Sequence, residues 1–339
     1  MIHPHRPGAC ALVAVALLCA QPSASAQARV IRGPLLHAHN CYPEDGRWAD
    51  RIERALKLGL DQVAIEQDLA WVPASGGKPA RSVVSHTDKP TGAEPTLDDY
   101  FFARVRPIMA KALADNQRAR WPLLVLHLDF KTNEAEHHRY VWDLLKRHAR
   151  WLTTATKGGT GSPLLPLTVG PLLVLTENGT GQEADFYDAL GIGDRLLLFG
   201  TTPSPQLTRE EDPDRRAKIL AAAPPAALVP WPATNYRRWT NFAWNVIEEG
   251  GQQQAGDWTA ADAARLRAVV KRAHDQGLWV RFYTLNGHPP DASQGWTAGY
   301  NFGSPAAVRA RWQAAIDAGV DFIATDQYEG LAELLTKIR

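Results

Sequence analysis

Cysteine is scarce in this chain of 339 residues. Cys10 and Cys19 stand near the start and Cys41 is alone in the remainder. That excludes a small disulfide-stapled domain, so stability has to come from a large hydrophobic core. An excess of one charge is missing too. Lys+Arg number 37 against 36 Asp+Glu, a formal charge of +1. A duplex-DNA binder needs a basic footprint to displace counterions, so no nucleic-acid partner is expected. No Gly-rich phosphate loop follows the first candidate strand, which leaves a dinucleotide-binding fold without support. Long linkers and short-period repeats are absent as well. What is present, 45% hydrophobic and 22% charged residues, is ordinary globular composition.

Residues 1–26 read as a secretory leader. Arg6 precedes an apolar run at 9–20, and Ala24-Ser25-Ala26 has the small-x-small form of a cleavage site. The run is short for a membrane span. Cleavage after Ala26 leaves residues 27–339, expected to be one domain that is secreted or periplasmic.

Apolar β-type runs at 34–39, 62–71, 123–131, 171–177, 195–200, 227–230, 278–286 and 321–326 alternate with amphipathic segments. The segments at 46–58, 97–115, 134–152, 183–190, 212–222, 260–276, 305–318 and 329–338 are predicted helices. Eight strand–helix alternations predict an α/β fold, a (β/α)8 TIM barrel, whose chemistry sits at the carboxyl ends of its strands.

Polar groups collect at those ends. Strand one closes with His37-Ala38-His39-Asn40 and strand two with Glu66-Gln67-Asp68. A β-like piece at 82–85 delivers His86, strand three ends His127-Leu128-Asp129-Phe130-Lys131, and strand four ends at Glu177. Further round stand Arg281, Tyr283, Asn286 and Asp326. Side chains alternate along a strand, so Glu66 and Asp68 share a face and an unpaired charge there is costly. The all-oxygen trio Glu66, Asp68 and Asp129 suits Mg²⁺ or Ca²⁺ rather than zinc. Beside two histidines and a lysine, such an ion suits attack at phosphorus. One histidine takes a proton from the nucleophile, the other protonates the leaving alkoxide, and Lys131 offsets charge on the phosphate.

At these positions the chain resembles the phospholipase-C-like phosphodiesterase superfamily, which includes the glycerophosphodiester phosphodiesterases. The matching blocks are His39, Glu66-Gln67-Asp68, Val83-Val84-Ser85-His86-Thr87-Asp88, Asp129-Phe130-Lys131, Tyr283-Thr284-Leu285-Asn286 and Gly319-Val320-Asp321-Phe322-Ile323-Ala324-Thr325-Asp326. The His-x-His-Asn start is similar to a branch that includes the altered-inheritance-of-mitochondria proteins. The resemblance implies metal-dependent cleavage of a phosphodiester, with a small-molecule or lipid-headgroup substrate and two catalytic histidines. His86 is one; His39 and His37 are rivals for the other, with His39 preferred. Asn40-Cys41 stands where glycerophosphodiesterases have Arg-Gly, so phosphate binding passes to Lys131 and Arg281. Asn40, Glu177, Tyr283 and Asn286 complete the candidate substrate-binding set.

Alternatives are a barrel that binds without catalysis and a metal-dependent amidohydrolase using Lys131 and Asp326. A glycosidase would use Glu66 and Glu177. The aromatic stretch Trp231, Tyr236, Trp239, Phe242 and Trp244 is either a packed loop after strand six or a wall for a lipid headgroup, a sugar or a membrane surface. Cys41 is a minor candidate for a reactive thiol. No protein partner is evident.

Overall fold

The structure is a computed structural model, and it describes residues 30–43, 48–248, 256–289 and 301–337. The expected leader, residues 1–26, lies outside them. Eight parallel strands form its centre: β1 (Leu35–Ala38), β2 (Gln62–Val72), β3 (Leu123–Phe130), β4 (Leu172–Thr176), β5 (Phe199–Thr201), β6 (Arg237–Ala243), β7 (Trp279–Tyr283) and β8 (Phe322–Thr325). Neighbours in sequence are neighbours in the sheet, and the sheet closes because Leu36 pairs with both Val63 and Ile323. The fold is thus a (β/α)8 barrel. Its strands read as nearly continuous apolar runs because both faces are covered, as parallel sheets require.

Helices α1 (Arg51–Lys57), α2 (Ala103–Asp115), α3 (Ala135–Arg147), α4 (Pro213–Ala222), α5 (Ala260–Asp275), α6 (Pro305–Ala318) and α7 (Tyr328–Lys337) follow the strands. Local chemistry sets several of their ends. Thr259 and Asp262 form a reciprocal capping box on α5. Ser304 Oγ caps α6, which Gly319 ends in the left-handed conformation (φ 77°). The β4–β5 connection carries only a π-helical turn, Ala184–Asp188.

Strand β2 outruns the barrel. Its last residues pair antiparallel with Arg81–Val84, Leu69 opposite Val84. Ser85 N donates to Asp68 O at 2.9 Å and Lys131 N to Leu69 O at 2.8 Å, so His86 and Lys131 are fastened beside the end of β2.

Two sequence expectations are corrected. Residues 227–230 are not strand six: Pro225–Leu228 is a helical turn, and the strand is Arg237–Ala243. The apolar run after Pro224 imitates a strand, while the true one is hidden by two arginines. Arg238 is 1% exposed, its guanidinium satisfied by the carbonyls of Leu165 and Asn235. Trp239, Phe242 and Trp244 therefore pack inside the barrel wall and form no aromatic surface, whereas Trp231 is 38% exposed. The segment expected as strand five also divides: Arg195–Leu196 pairs with Ala155–Thr156 in a separate small sheet, and Phe199–Thr201 joins the barrel. A Cβ at Gly200 would collide with the Tyr236 ring, so glycine is needed where β5 meets β6.

Candidate active site

The carboxyl ends of the strands open on a cleft of about 630 Å³. Its wall includes His39, Asn40, Glu66, Asp68, His86, Asp129, Lys131, Glu177, Arg281 and Tyr283, contributed by six chain segments.

His39 follows β1 and is held from behind. Its Nδ1 lies 3.2 Å from Asp326 Oδ1, at the end of β8, while its Nε2 is 3.7 Å from Glu66 Oε2. Asp326 also accepts from Asn286 Nδ2 at 2.8 Å, Asn40 Nδ2 at 3.1 Å and Arg51 Nη1 at 3.3 Å. Burial pushes the Asp326 carboxyl up, but His39 and Arg51 outweigh it and the group lies below the usual range. Asn40 Nδ2 also lies 2.9 Å from His39 Nδ1, but an ionised Asp326, which only accepts, selects the Nδ1–H form of His39 and leaves Nε2 for the cleft. Asn40 takes a left-handed backbone (φ 51°), and its N–H donates to Glu66 Oε2 at 3.0 Å.

The acids form the second feature. Glu66, Asp68 and Asp129 each offer an oxygen within 4.8 Å of the others. Lys131 Nζ sits 2.9 Å from Asp68 Oδ2 and 2.8 Å from Asp129 Oδ2. One ammonium does not balance this group. Burial, then the Asp129 carboxylate, push Asp68 well above the ordinary carboxyl range, and Lys131 offsets only part. Glu66 goes the other way: burial raises it, but His39, Arg281 and His127 together bring it below its ordinary value. The donor set fits a hard divalent cation. Oxygen ligands at roughly 2.3–2.6 Å span up to about 5 Å across such an ion, which these separations meet.

His86 faces the acids from the strand after β2, its Nε2 4.0 Å from Asp68 Oδ2 and its ring stacked on Tyr42. Partial burial, then Lys131, lower its pKa, which favours the neutral ring. On the floor, Arg281 donates to Asn241 Oδ1 at 3.1 Å and Glu66 Oε1 at 3.4 Å.

Three candidates do other work. His37 is 1% exposed, below the cleft, with Nε2 3.1 Å from His127 Nδ1. Burial and then Arg281 hold it well below the ordinary histidine value. As a rival catalytic histidine it is displaced by geometry, because two residues further along β1 are needed to reach the mouth. Asn286 does not line the cleft; it is 1% exposed and bonds Asp326 through Nδ2 and, through Oδ1, the Thr325 hydroxyl and Asp326 N–H. Cys41 is buried, which pushes its thiol up to about 12 and makes it a poor nucleophile.

Sequence reasoning did not single out His127, Asn241 and Arg51. His127 shares a strand face with Asp129, which is a usable signal. Arg51 reaches Asp326 from α1 and carries no local signature. Asp326, quoted as a strand-eight end, is the partner of His39. As for the amidohydrolase alternative, Lys131 is committed to two carboxylates, and Thr201 and Ala243, not histidines, end β5 and β6.

No protein-family model matches the chain, and no curated protein matches it either. Among solved structures, it is similar to a glycerophosphoryl diester phosphodiesterase from Parabacteroides distasonis at 12% identity, over 90% of this chain and 87% of that one, with a TM-score of 0.41. A second glycerophosphodiester phosphodiesterase of that organism gives 12% identity, 91% and 98% coverage and a TM-score of 0.43. Dihydropteroate synthase from Xanthomonas albilineans gives 14%, 91% and 92%, and 0.37. These enzymes differ in chemistry, so the choice of reaction rests on the residues in the cleft.

Proposed function

We propose that the chain is a divalent-cation-dependent phosphoric diester hydrolase acting on small-molecule or lipid-headgroup diesters, working outside the cytoplasm once residues 1–26 are removed. The observation that carries this reading is the pairing of an Asp326-anchored His39 with His86 around one acidic, lysine-bearing cleft.

Glu66, Asp68 and Asp129 would hold Mg²⁺ or Ca²⁺, which when bound offsets negative charge on the non-bridging oxygens of the diester. Lys131 and the Arg281 guanidinium line the same cleft and bind those oxygens directly. His86, whose surroundings favour the neutral ring, takes the proton from the attacking hydroxyl, that of water or of the substrate. His39 delivers a proton from Nε2 to the departing alkoxide, while Asp326 holds Nδ1–H and stabilises the imidazolium that precedes transfer. Such proton transfers contribute about 10²- to 10⁴-fold each.

The test is ³¹P NMR of a glycerophosphodiester incubated with the protein and Mg²⁺ or Ca²⁺. Conversion to a phosphomonoester or a cyclic phosphate supports the reading. An unchanged diester resonance with every diester tried, from a folded, cation-loaded protein, contradicts it.

A further inference from the structure

From Arg281 a line of polar groups runs beneath the cleft through two histidines that the reaction above does not use. Arg281 Nη2 lies 3.5 Å from His37 Nδ1, His37 Nε2 lies 3.1 Å from His127 Nδ1, and His127 Nε2 lies 3.0 Å from Glu177 Oε1. Arg281, His37 and His127 are 2%, 1% and 0% exposed. A guanidinium can only donate, so the His37 nitrogen facing it carries the lone pair. The proton of His37 is then on Nε2, where it meets His127 Nδ1 as acceptor. The proton of His127 is therefore on Nε2, directed at Glu177. One assignment satisfies both ring nitrogens of His37 and of His127, while Arg281 Nε is left without a partner.

A second arm leads from the same arginine to the same oxygen. Arg281 Nη1 donates to Asn241 Oδ1 at 3.1 Å, and Asn241 Nδ2 donates to Glu177 Oε1 at 2.9 Å. Two donors on Oε1 fix the plane of the carboxylate and leave Oε2 as its acceptor for the cleft, where the Glu177 side chain is 26% exposed. The same cleft carries neutral polar residues as well: Asn178, Gln182, Thr201, Ser204 and Gln206.

We propose that Glu177 is a specificity-determining acceptor for a hydrogen-bond donor, hydroxyl or ammonium, on the alcohol portion of the substrate, and that His37 and His127 are the positioning residues that aim it. The ligand assignment rests on the phosphodiesterase reading; the relay itself does not. A metal in place of the relay is disfavoured by Arg281. His37, His127 and Glu66 do offer three donor atoms within 4.8 Å of one another. However, a metal on His37 Nε2 would put the remaining proton on Nδ1, facing the guanidinium, beside a positive charge already 3.4 Å from Glu66 Oε1.

Two measurements test this. The first compares kcat/KM for a glycerol-bearing diester, an ethanolamine-bearing diester and bis(p-nitrophenyl) phosphate, which carries no donor. Glu177→Gln and His127→Leu should each lower the preference for the better donor-bearing diester over bis(p-nitrophenyl) phosphate by about 10- to 100-fold, chiefly through KM. His127→Gln, whose amide can accept from His37 and donate to Glu177, should restore most of it. The glycerol and ethanolamine arms show which donor is read. An unchanged preference in folded Glu177→Gln overturns the proposal.

The second is the ¹⁵N NMR spectrum of the wild-type imidazoles, which needs no turnover and no variant that could misfold. His37 and His127 should both be Nε2–H tautomers. A protonated Nδ1 on either ring, or a stoichiometric transition metal on both, overturns the relay. Should no diester be cleaved, the phosphodiesterase reading and the ligand of Glu177 fall together, while the tautomers still decide the relay.

Discussion

Asp326→Asn removes one charge and almost no volume, and the surroundings of Asp326 make its effect calculable in outline. Every polar side-chain atom bonded to the carboxylate is a donor: His39 Nδ1, Asn40 Nδ2, Arg51 Nη1 and Asn286 Nδ2. Whichever way an amide is turned, its NH₂ meets at least one donor. The fold loses at least one hydrogen bond and the nearby counter-charge of Arg51, a residue 3% exposed. With one acceptor oxygen kept, the cost is about 1–3 kcal/mol, short of the roughly 3–5 kcal/mol of a fully broken buried pair. A barrel of this size survives that as a lower Tm. The larger effect is on His39, which loses the group that selects its tautomer and stabilises its charged form. The expected fall in kcat is about 10²- to 10⁴-fold. Steady-state turnover beside thermal unfolding separates the two effects. Adding Asp326→Asn to His39→Ala should cost little more activity, because the pair acts as a unit. A folded Asp326→Asn protein with unchanged kcat, or losses that multiply in the double variant, would refute the reasoning.

Other outcomes follow from the same geometry. His86→Ala should abolish measurable turnover and His39→Ala should lower it by about 10²- to 10⁴-fold, each with circular dichroism unchanged, since neither side chain belongs to the apolar core. Glu66→Ala should remove Mg²⁺ or Ca²⁺ binding, read by titration calorimetry, together with activity. Asp68 has a folded pKa above its unfolded value, so its contribution to metal-free stability is present at low pH and is lost as pH rises through the folded value. Asp68→Asn should therefore raise the Tm in excess EDTA at pH 7 and abolish the rise that added divalent cation gives the wild type. Asp326 has the opposite sign: its stabilisation holds above the ordinary carboxyl range and is lost as pH falls through its depressed value, which Asp326→Asn should blunt in an acid-unfolding profile.

Most of the barrel is legible in the sequence because polar residues interrupt apolar runs only at strand ends. Glu66 and Asp68 in β2, and Asp129 and Lys131 around the end of β3, are found by that rule and do meet in one cleft. Strand β6 escapes it because Arg237 and Arg238 look like a surface. The carbonyl of Leu165, far away in sequence, and the carbonyl and side chain of Asn235 hold the buried Arg238. Depth is the other illegible quantity. His37 and His39 have the same alternation, yet one ends beneath the floor and the other on it. The partner that settles their roles, Asp326, lies at the far end of the chain.

The central claim is tested most directly by the turnover of bis(p-nitrophenyl) phosphate with wild-type and His86→Ala proteins, each in EDTA and then after added Mg²⁺ or Ca²⁺. The account predicts release of p-nitrophenol only by the wild type and only with the cation restored. Equal rates in the two proteins, or wild-type turnover untouched by EDTA, would contradict it.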